Sequence, residues 1–118
     1  MPRDPRDISR LWDMLDAART AVEFTKDLRF EEFMLDRKTR NAVERNLEIL
    51  GEAARHVSPG TREQLPNVAW RSVIGFRNVL AHEYGEIRYE ILWSMVRGKM
   101  IPLIRQLEEF GVGNPPMG

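Results

Sequence analysis

The segment DRKTRNAVERNLEILGEAAR, residues 36–55, decides how this chain folds. Apolar residues recur in it every three or four positions, a spacing that places them on one face of an α-helix. The stripe consists of Val43, Leu47, Leu50 and Ala54, joined by Ala42, Ile49 and Ala53. Asp36 is a typical N-cap, because its carboxylate can accept a hydrogen bond from a free N–H group of the first turn. The segment therefore predicts a long amphipathic helix that ends before Ser58.

A similar pattern precedes this segment. Asp4 followed by Pro5 is typical of an N-cap and a first helical position, and it predicts a helix that runs to about Lys26. The apolar positions of that helix recur at helical spacing and are Ile8, Leu11, Trp12, Leu15, Ala18 and Val22. Between the two helices lies a short apolar cluster, made of Phe30, Phe33, Met34 and Leu35. This cluster predicts one or two helical turns that cover an end of the core.

The second half of the chain predicts two more long helices. Residues 58–67 contain two prolines and one glycine, which favours a loop with one helical turn at 62–65. A third helix is expected from about Val68 to just before Gly85, and a fourth begins near Glu86. The fourth is predicted to bury Ile91, Leu92, Val96, Ile101, Leu103, Ile104 and Leu107. Pro102 is expected to kink it, because a proline ring clashes with the carbonyl group four residues back.

These patterns define the fold class. No segment alternates apolar and polar residues as a half-buried strand would, so the chain is expected to be all-α, a bundle of four principal helices with one or two short helical turns. Its 118 residues suffice for one domain. That domain is expected to span residues 1–110, and residues 111–118 are expected to form a flexible C-terminal tail.

Composition excludes several kinds of chemistry. The 18 Lys and Arg residues balance 18 Asp and Glu residues, so the surface as a whole is no polycationic track and phosphate binding has to be local. The absence of cysteine excludes disulfides, Cys-ligated zinc and thiol catalysis. The start of the chain is charged, and no apolar run reaches the ~20 residues that span a bilayer. We therefore expect a cytoplasmic protein that does not bind membranes.

The residues that can carry chemistry concentrate in RNVLAHEYG, residues 77–85. On a helix, Asn78 and His82 lie on one face, and Arg77 and Tyr84 share a neighbouring stripe. An arginine fork fits a phosphate, a histidine exchanges protons near neutral pH, and an asparagine can orient an imidazole or a substrate hydroxyl. This set suits metal-free phosphodiester chemistry. No histidine stands four residues after His82, so a zinc-protease helix is excluded.

Spacing alone also fits a purely structural interpretation of this segment. Arg77 and His82 would stabilise the last carbonyl groups of a helix, and Tyr84 would pack sideways. Judged only on the spacing, this interpretation is favoured over a catalytic site. The choice between the two depends on the rest of the chain.

The whole pattern resembles the HEPN superfamily, and in particular its HepT toxin family. The hallmark is an arginine followed by a polar residue, four to six residues between that arginine and a histidine, and a tyrosine two residues after the histidine. Arg77, Asn78, His82 and Tyr84 match it. Trp70, the Gly75-Phe76 pair and the element Gly51-Glu52-Ala53-Ala54 are similar to that branch as well.

This resemblance implies a HEPN-type dimer that acts as a metal-independent endoribonuclease toxin on RNA. Arg77 would bind the phosphate, His82 would act as general acid and base, and Asn78 would orient them, with neither metal nor cofactor. The implied partner is an MntA-like minimal nucleotidyltransferase antitoxin, which would transfer AMP to Tyr84. The alternative is a non-catalytic HEPN module that binds a nucleotide or docks the nucleotidyltransferase, because a fold does not by itself determine a function.

Several other residues are weighed against plainer roles. His56 is expected at the surface or at a helix C-cap, and Glu52 either contacts Arg77 or is an exposed helix carboxylate. The basic residues Arg37, Lys38, Arg40 and Arg45 are interspersed with acids and are expected to form a solvated face. The large side chains Trp12, Trp70, Trp93, Met14, Met95 and Met100 are expected in the core or at a dimer interface.

Overall fold

The computed structural model describes residues 4–76 and 88–113. Within these ranges the regular secondary structure is helical and there is no strand, which confirms the predicted all-α class. In chain order the helices are α1 (Pro5–Thr25), α2 (Phe30–Leu35), α3 (Arg37–Arg55), α4 (Pro59–Gln64), α5 (Trp70–Ile74), α6 (Tyr89–Gly98) and α7 (Met100–Glu109). None of the helices in the described ranges is both long and apolar enough to cross a membrane.

The two longest helices, α1 and α3, pack side by side and form the centre of the molecule. Hydrogen bonds join Asp7, at the start of α1, to Ser58, just after the end of α3, so the two helices run antiparallel. Leu15 of α1 and Leu47 and Leu50 of α3 are almost completely buried. Helices α6 and α7 also pack on α1, whereas α5 packs on α3.

Both predicted N-caps are confirmed. The Asp4 carboxylate accepts a hydrogen bond from the backbone N–H of Arg6 at 2.9 Å, and Pro5 is the first helical residue. Asp36 accepts from both the backbone N–H and the hydroxyl group of Thr39, at 3.0 and 2.7 Å. These short-range contacts fix the starts of α1 and α3 where the sequence placed them, and α1 ends within one residue of the predicted position.

Helix α2 is the predicted helical turn, but only part of its apolar cluster covers the core. Phe33 is fully buried against Trp93, with ring centroids 5.0 Å apart, and Phe30 packs edge-on against the same ring at 5.9 Å. Met34 is 39% exposed and Leu35 is 88% exposed, so neither covers the core as predicted. A six-residue helix presents one narrow face to its neighbours, and Leu35 lies on the other side of it.

Residues 59–64 form the short helix α4, although a loop was predicted there with a single turn at 62–65. The prediction was wrong because Pro59 occupies the first turn of α4, where its missing N–H group needs no partner and its backbone angle is already helical. The hydroxyl of Ser58 does not cap this helix; it hydrogen-bonds to Asp7 instead.

The start of the third predicted helix differs between the prediction and the structure. It begins at Trp70 rather than Val68, and α5 ends at Ile74 with Gly75 as its C-cap. The backbone N–H of Gly75 donates to the carbonyl oxygen of Arg71 at 3.0 Å, which closes the last turn. The remainder of the predicted helix, from Arg77 onward, lies outside the described residues.

The predicted fourth helix is two helices, α6 and α7, and Pro102 does more than kink it. Helix α6 ends at Gly98, the residue whose carbonyl group the proline ring would meet in a continuous helix. Pro102 instead lies in the first turn of α7, where its missing N–H group is tolerated. The buried positions Leu92, Val96, Met100, Leu103 and Leu107 continue at three- and four-residue spacing across the break.

One predicted core residue of α7 is on the surface, because it lies beside the buried stripe rather than on it. Ile101 was expected to be buried and is 39% exposed. Ile8 of α1 and Ile49 of α3 also lie at the outer edge of their stripes, with exposures of 41% and 36%. Ile91 and Ile104 are partly buried against the core.

The end of α7 is closed by a glycine turn. Gly111 has a φ of +106° and donates its N–H to the carbonyl oxygen of Glu108, and Val112 donates to Leu107. This pair of bonds is the Schellman arrangement, in which a residue of positive φ ends a helix. Val112 then packs against the core. Residues 114–118 lie outside the described ranges, so a flexible tail there stays a prediction.

A buried carboxylate joins the ends of the central helices. Asp7 is only 2% exposed and accepts hydrogen bonds from the backbone N–H of Ser58 at 3.1 Å and from the hydroxyl groups of Ser58 and Thr61. Burial by itself raises the pKa of Asp7, but these hydrogen bonds favour the charged form and hold the pKa below its usual value. The charged carboxylate therefore stabilises the fold.

We expect Asp7→Ala to lower the free energy of unfolding at pH 7 by about 1–3 kcal/mol, because it leaves the donors of Ser58 and Thr61 unpaired. Because the pKa of Asp7 is lowered in the folded state, this stabilisation is present above the pKa of the unfolded carboxyl and is lost as the pH falls through the folded pKa. Urea unfolding at pH 7 and at about pH 3 measures both effects. Asp13→Ala, at an exposed position of the same helix, is the control. An equal loss in both variants at pH 7 would contradict the role of Asp7.

Candidate functional site

The predicted site residues Arg77, Asn78, His82 and Tyr84 lie outside the described residues, so their arrangement stays a prediction. The structure describes what comes immediately before and after them. On one side are α5, Gly75 and Phe76, and on the other are Arg88 and α6. The contacts of these two flanks show how the fold holds the ends of the motif segment, residues 77–87.

The upstream flank is joined to the end of α3 by Arg62. Its guanidinium group donates to the carbonyl oxygen of Val57 at 3.0 Å, and to two further carbonyl oxygens in the last turn of α3. The same group lies over the ring of Trp70, with Cζ 5.6 Å from the centroid. The indole Nε1 of Trp70 donates to the carbonyl oxygen of Leu65 at 3.0 Å. Arg62 and Trp70 together set where α5 begins.

Close packing on α3 fixes the other end of α5. A Cβ atom built on Gly51 would lie 3.1 Å from the carbonyl oxygen of Val73 and 3.6 Å from that of Ile74. The absence of a side chain at Gly51 therefore lets the backbone of α5 approach α3 directly. Phe76, the residue before Arg77, is 1% exposed and belongs to the core. The motif segment thus begins at a residue that is fixed in the core.

Glu52 and His56 are engaged with each other on the surface of α3. His56 is the C-cap of this helix and is exposed, which confirms its predicted role. A carboxylate oxygen of Glu52 lies 2.8 Å from Arg55 Nη2 and 3.1 Å from His56 Nε2. The hydrogen bond from Arg55 is the main reason that the pKa of Glu52 is lowered. Of the two roles weighed for Glu52, its described contacts favour the exposed helix carboxylate.

A polar groove of about 430 Å³ runs between α3 and α5. Its lining consists of Arg45, Leu47, Glu48, Gly51, Glu52, Arg55 and Ile74. Each arginine of the groove is paired with an acid, Arg45 with Glu48 at 3.4 Å and Arg55 with Glu52 at 2.8 Å. The groove is therefore charged but close to neutral, which agrees with the predicted solvated face. Arg40 was also predicted on the solvated face of α3, and for this residue the prediction was wrong, because Arg40 is half-buried and lies against Tyr89.

The large side chains pack as predicted. Met14, Met95 and Met100 are buried, and Trp12, Trp70 and Trp93 are partly buried against the core. Tyr89 packs edge-on against Phe33, with ring centroids 6.4 Å apart. Residues 4–76 and 88–113 contain no group of three or more histidine or acidic side chains that could hold a metal ion.

Sequence reasoning missed the residues that position the flanks. The sequence predicts Arg62 only as part of a helical turn and Arg40 only as a member of a charged face. No pattern in the sequence identifies either one, because their partners are carbonyl groups and ring faces rather than complementary charges. Gly51 did carry a signal, since a glycine inside an apolar helical stripe indicates close backbone approach.

Comparison with other proteins identifies the family. The profile described as Ribonuclease HepT-like matches residues 14–110. A protein of Methanocaldococcus jannaschii with a provisional RNase name is 41% identical over 98 residues, which cover 83% of this chain and 90% of that protein. A second protein of this organism, also provisionally named an RNase, is 37% identical over 99 residues, or 84% of this chain and 82% of its own length.

A third relative, from Thermococcus cleftensis, is named a probable ribonuclease HepT and is 36% identical over 87 residues, covering 74% of this chain and 79% of that protein. No solved structure gives a significant match. The fold and these similarities show that the chain is an all-α protein of a ribonuclease family. More particularly, the chain belongs to the HepT-like family of the HEPN superfamily.

We expect Gly51→Ala to lower stability although alanine is the better helix former. The gain in helix propensity is at most ~1 kcal/mol, whereas forcing the backbone carbonyl group of Val73 away costs about 1–3 kcal/mol. Urea unfolding measures the difference. Gly60→Ala is the matched control, because a Cβ atom at Gly60 meets nothing within 4 Å, and this variant should be as stable as the wild type or more so. Equal midpoints for the two variants would show that the close approach of α5 to α3 is unimportant.

Proposed function

We propose that this chain is a metal-independent endoribonuclease that acts as the toxin of a toxin–antitoxin pair, with Arg77, Asn78 and His82 as its catalytic residues. The observation that carries the proposal is the motif Arg77-Asn78 followed by His82 and Tyr84, in a chain that belongs to the HepT-like ribonuclease family. Three relatives whose names all describe them provisionally as RNases support RNA as the substrate. An RNA substrate also supports the expected cytoplasmic location.

The reaction assigns one step to each residue type. A base removes the proton of the ribose 2′-hydroxyl group, the 2′-oxygen attacks the phosphorus, and an acid gives a proton to the departing 5′-oxygen. The products are a 2′,3′-cyclic phosphate and a free 5′-hydroxyl end. Arg77 binds the phosphate and stabilises the charge on its oxygens during the attack. Asn78 orients the imidazole of His82 or the attacking hydroxyl.

A homodimer supplies the second proton-transfer group. One imidazole is either the base or the acid at a given moment, and the chain has no second histidine in the motif. A two-fold interface that brings two motifs together provides two copies of His82 and two of Arg77 in one cleft, and this symmetry is the commonest among oligomers. Four cationic or titratable groups in one cleft attract RNA locally even though the net charge of the chain is zero.

Tyr84 is the proposed point of regulation. The partner is an MntA-like nucleotidyltransferase antitoxin that transfers AMP to the tyrosine hydroxyl group, with release of pyrophosphate from ATP. The attached nucleotide carries a phosphodiester anion, and on a helix Tyr84 shares a stripe with Arg77. The modification would therefore both block the cleft and neutralise the cation that receives the RNA phosphate.

We expect His82→Ala to abolish RNA cleavage, because a proton-transfer group contributes ~10²–10⁴-fold to the rate. Arg77→Lys is also expected to fail, since an ammonium group keeps the charge but loses the planar fork. Cleavage of a defined RNA, measured in excess EDTA, checks both variants, and circular dichroism with a mass measurement of the oligomer checks their integrity. Full activity of His82→Ala, or activity that stops in EDTA and resumes with magnesium, would contradict the mechanism.

A second prediction concerns the tyrosine. Co-expression with the cognate nucleotidyltransferase should add one or more AMP masses to the chain and suppress its toxicity, and Tyr84→Phe should remain toxic because it lacks the acceptor oxygen. Tyr89→Phe is the control, because Tyr89 is half-buried against Phe33 and should not accept AMP. Intact-mass measurement and peptide mapping identify the site. An adduct on Tyr89, or neutralisation without any adduct, would overturn this assignment.

A further inference from the structure

Arg40 has a buried donor without a partner. It is half-buried near the start of α3, and in the part of the chain that the structure describes its Nε is the one buried side-chain nitrogen or oxygen that lacks a hydrogen bond. In the described ranges its guanidinium group forms no ion pair; the Asp36 carboxylate, which acts on it at longer range, is hydrogen-bonded to Thr39. A buried unpaired donor destabilises a protein, so a native structure that retains one calls for an explanation.

The contacts of Arg40 join three helices. Its Nη1 donates to the carbonyl oxygen of Met34, and to that of Phe33 at 3.5 Å, so the guanidinium group closes the end of α2. Its Cζ lies 5.0 Å from the ring centroid of Tyr89, the first residue of α6. The same ring is held edge-on against Phe33 at 6.4 Å. Arg40 thus links the end of α2 and the start of α3 to the start of α6.

An apolar side chain would be the simpler solution if packing were the only requirement. Methionine at this position could cover the Tyr89 ring without leaving an unpaired nitrogen. It could not bind carbonyl oxygens and hold a ring face at the same time, which a planar guanidinium group with five N–H donors can do. An arginine at this position is therefore suited to hold α2 and α6 in a fixed relative position.

Tyr89 lies close to the motif segment in the sequence. It stands five residues after Tyr84 and seven after His82, directly beyond the motif segment. The upstream end of the segment follows Phe76, which is in the core. Its downstream end meets α6 at Arg88 and Tyr89, where Arg40 provides the cross-link.

We infer that Arg40 is a positioning residue for the ribonuclease reaction: it fixes the start of α6, and through it the downstream end of the segment that carries His82 and Tyr84. This inference rests on the proposed function of that segment. Arg40 acts through Tyr89 rather than on the RNA. Its loss should therefore reduce the rate of the bound complex more than the affinity for RNA, because small displacements of catalytic groups slow a reaction steeply.

The test compares Arg40→Met with the wild type in single-turnover cleavage of a defined RNA, at a temperature where both are fully folded. We expect the rate at saturating RNA to fall about tenfold or more while the dissociation constant for RNA changes less than about twofold. Hydrogen exchange should become faster in residues 77–92, with protection of α1 and α3 unchanged. Arg37→Met is the matched control, because Arg37 lies exposed on the same helix.

A second pair of variants tests the ring. Tyr89→Leu removes the ring face on which Arg40 lies and should lower the cleavage rate as Arg40→Met does. Tyr89→Phe keeps that face and should retain most of the wild-type rate. This pair also decides the matter if Arg40→Met does not fold.

Three results would overturn the inference: a wild-type rate for Arg40→Met, a loss confined to RNA affinity, or unchanged hydrogen exchange in residues 77–92. His82→Ala, measured alongside, separates the two proposals. If His82→Ala cleaves RNA like the wild type, the proposed function fails, and the exchange data still report on Arg40. If His82→Ala is inactive and Arg40→Met is fully active, only the positioning role fails.

Discussion

The antiparallel packing of α1 on α3 is the contact on which the rest of the structure depends. Small residues of both helices, among them Ala18 and Ala21 of α1 and Ala54 of α3, are buried in the core. Asp7 ties the start of α1 to the turn after α3, so the helices are also held in register along their length. The other described helices are placed by reference to this pair, because α2 and α5 pack on α3, α6 and α7 pack on α1, and Thr61 of α4 hydrogen-bonds to Asp7.

The flanks of the motif segment inherit their positions from this pair. Upstream, α3 contributes the bare backbone of Gly51 and the carbonyl groups that Arg62 binds, and these place α5 and then Phe76. Downstream, Arg97 of α6 donates to the carbonyl oxygens of Thr25 and Leu28 at 2.6 and 2.5 Å, which attaches α6 to the end of α1. Arginines bound to helix-end carbonyl groups thus recur in this fold. They use charge to fix geometry, whereas the zero net charge of the chain comes from its equal numbers of basic and acidic residues.

The helical layout was largely predictable, and the errors share a cause. The starts of α1 and α3 depend on Asp4 and Asp36, whose partners lie two to three residues away, so the sequence contains the whole interaction. The break between α6 and α7 depends on whether the chain absorbs the clash at Pro102 by bending or by ending the helix. The buried residues Val96, Met100 and Leu103 keep helical spacing across the break, so a periodicity count over the joined segment cannot distinguish the two solutions.

Short-range physics explains what the sequence determined by itself: the all-α class, the helix caps, the buried stripes of α1 and α3, and the motif that relates the chain to a ribonuclease family. The fold class, the caps and the stripes each depend on residues within about two turns of a helix, and the family resemblance depends on residues spread along the sequence, so all of them can be recognised without a structure. Only the tertiary structure decided the roles of Asp7, Arg40 and Arg62. Their partners are hydroxyl groups, main-chain groups and ring faces that the folded chain brings within reach, as when the Thr61 hydroxyl meets Asp7 across 54 positions of the chain. A carbonyl oxygen or a ring face is present at so many positions that no residue pattern can single out the one that such a side chain will bind.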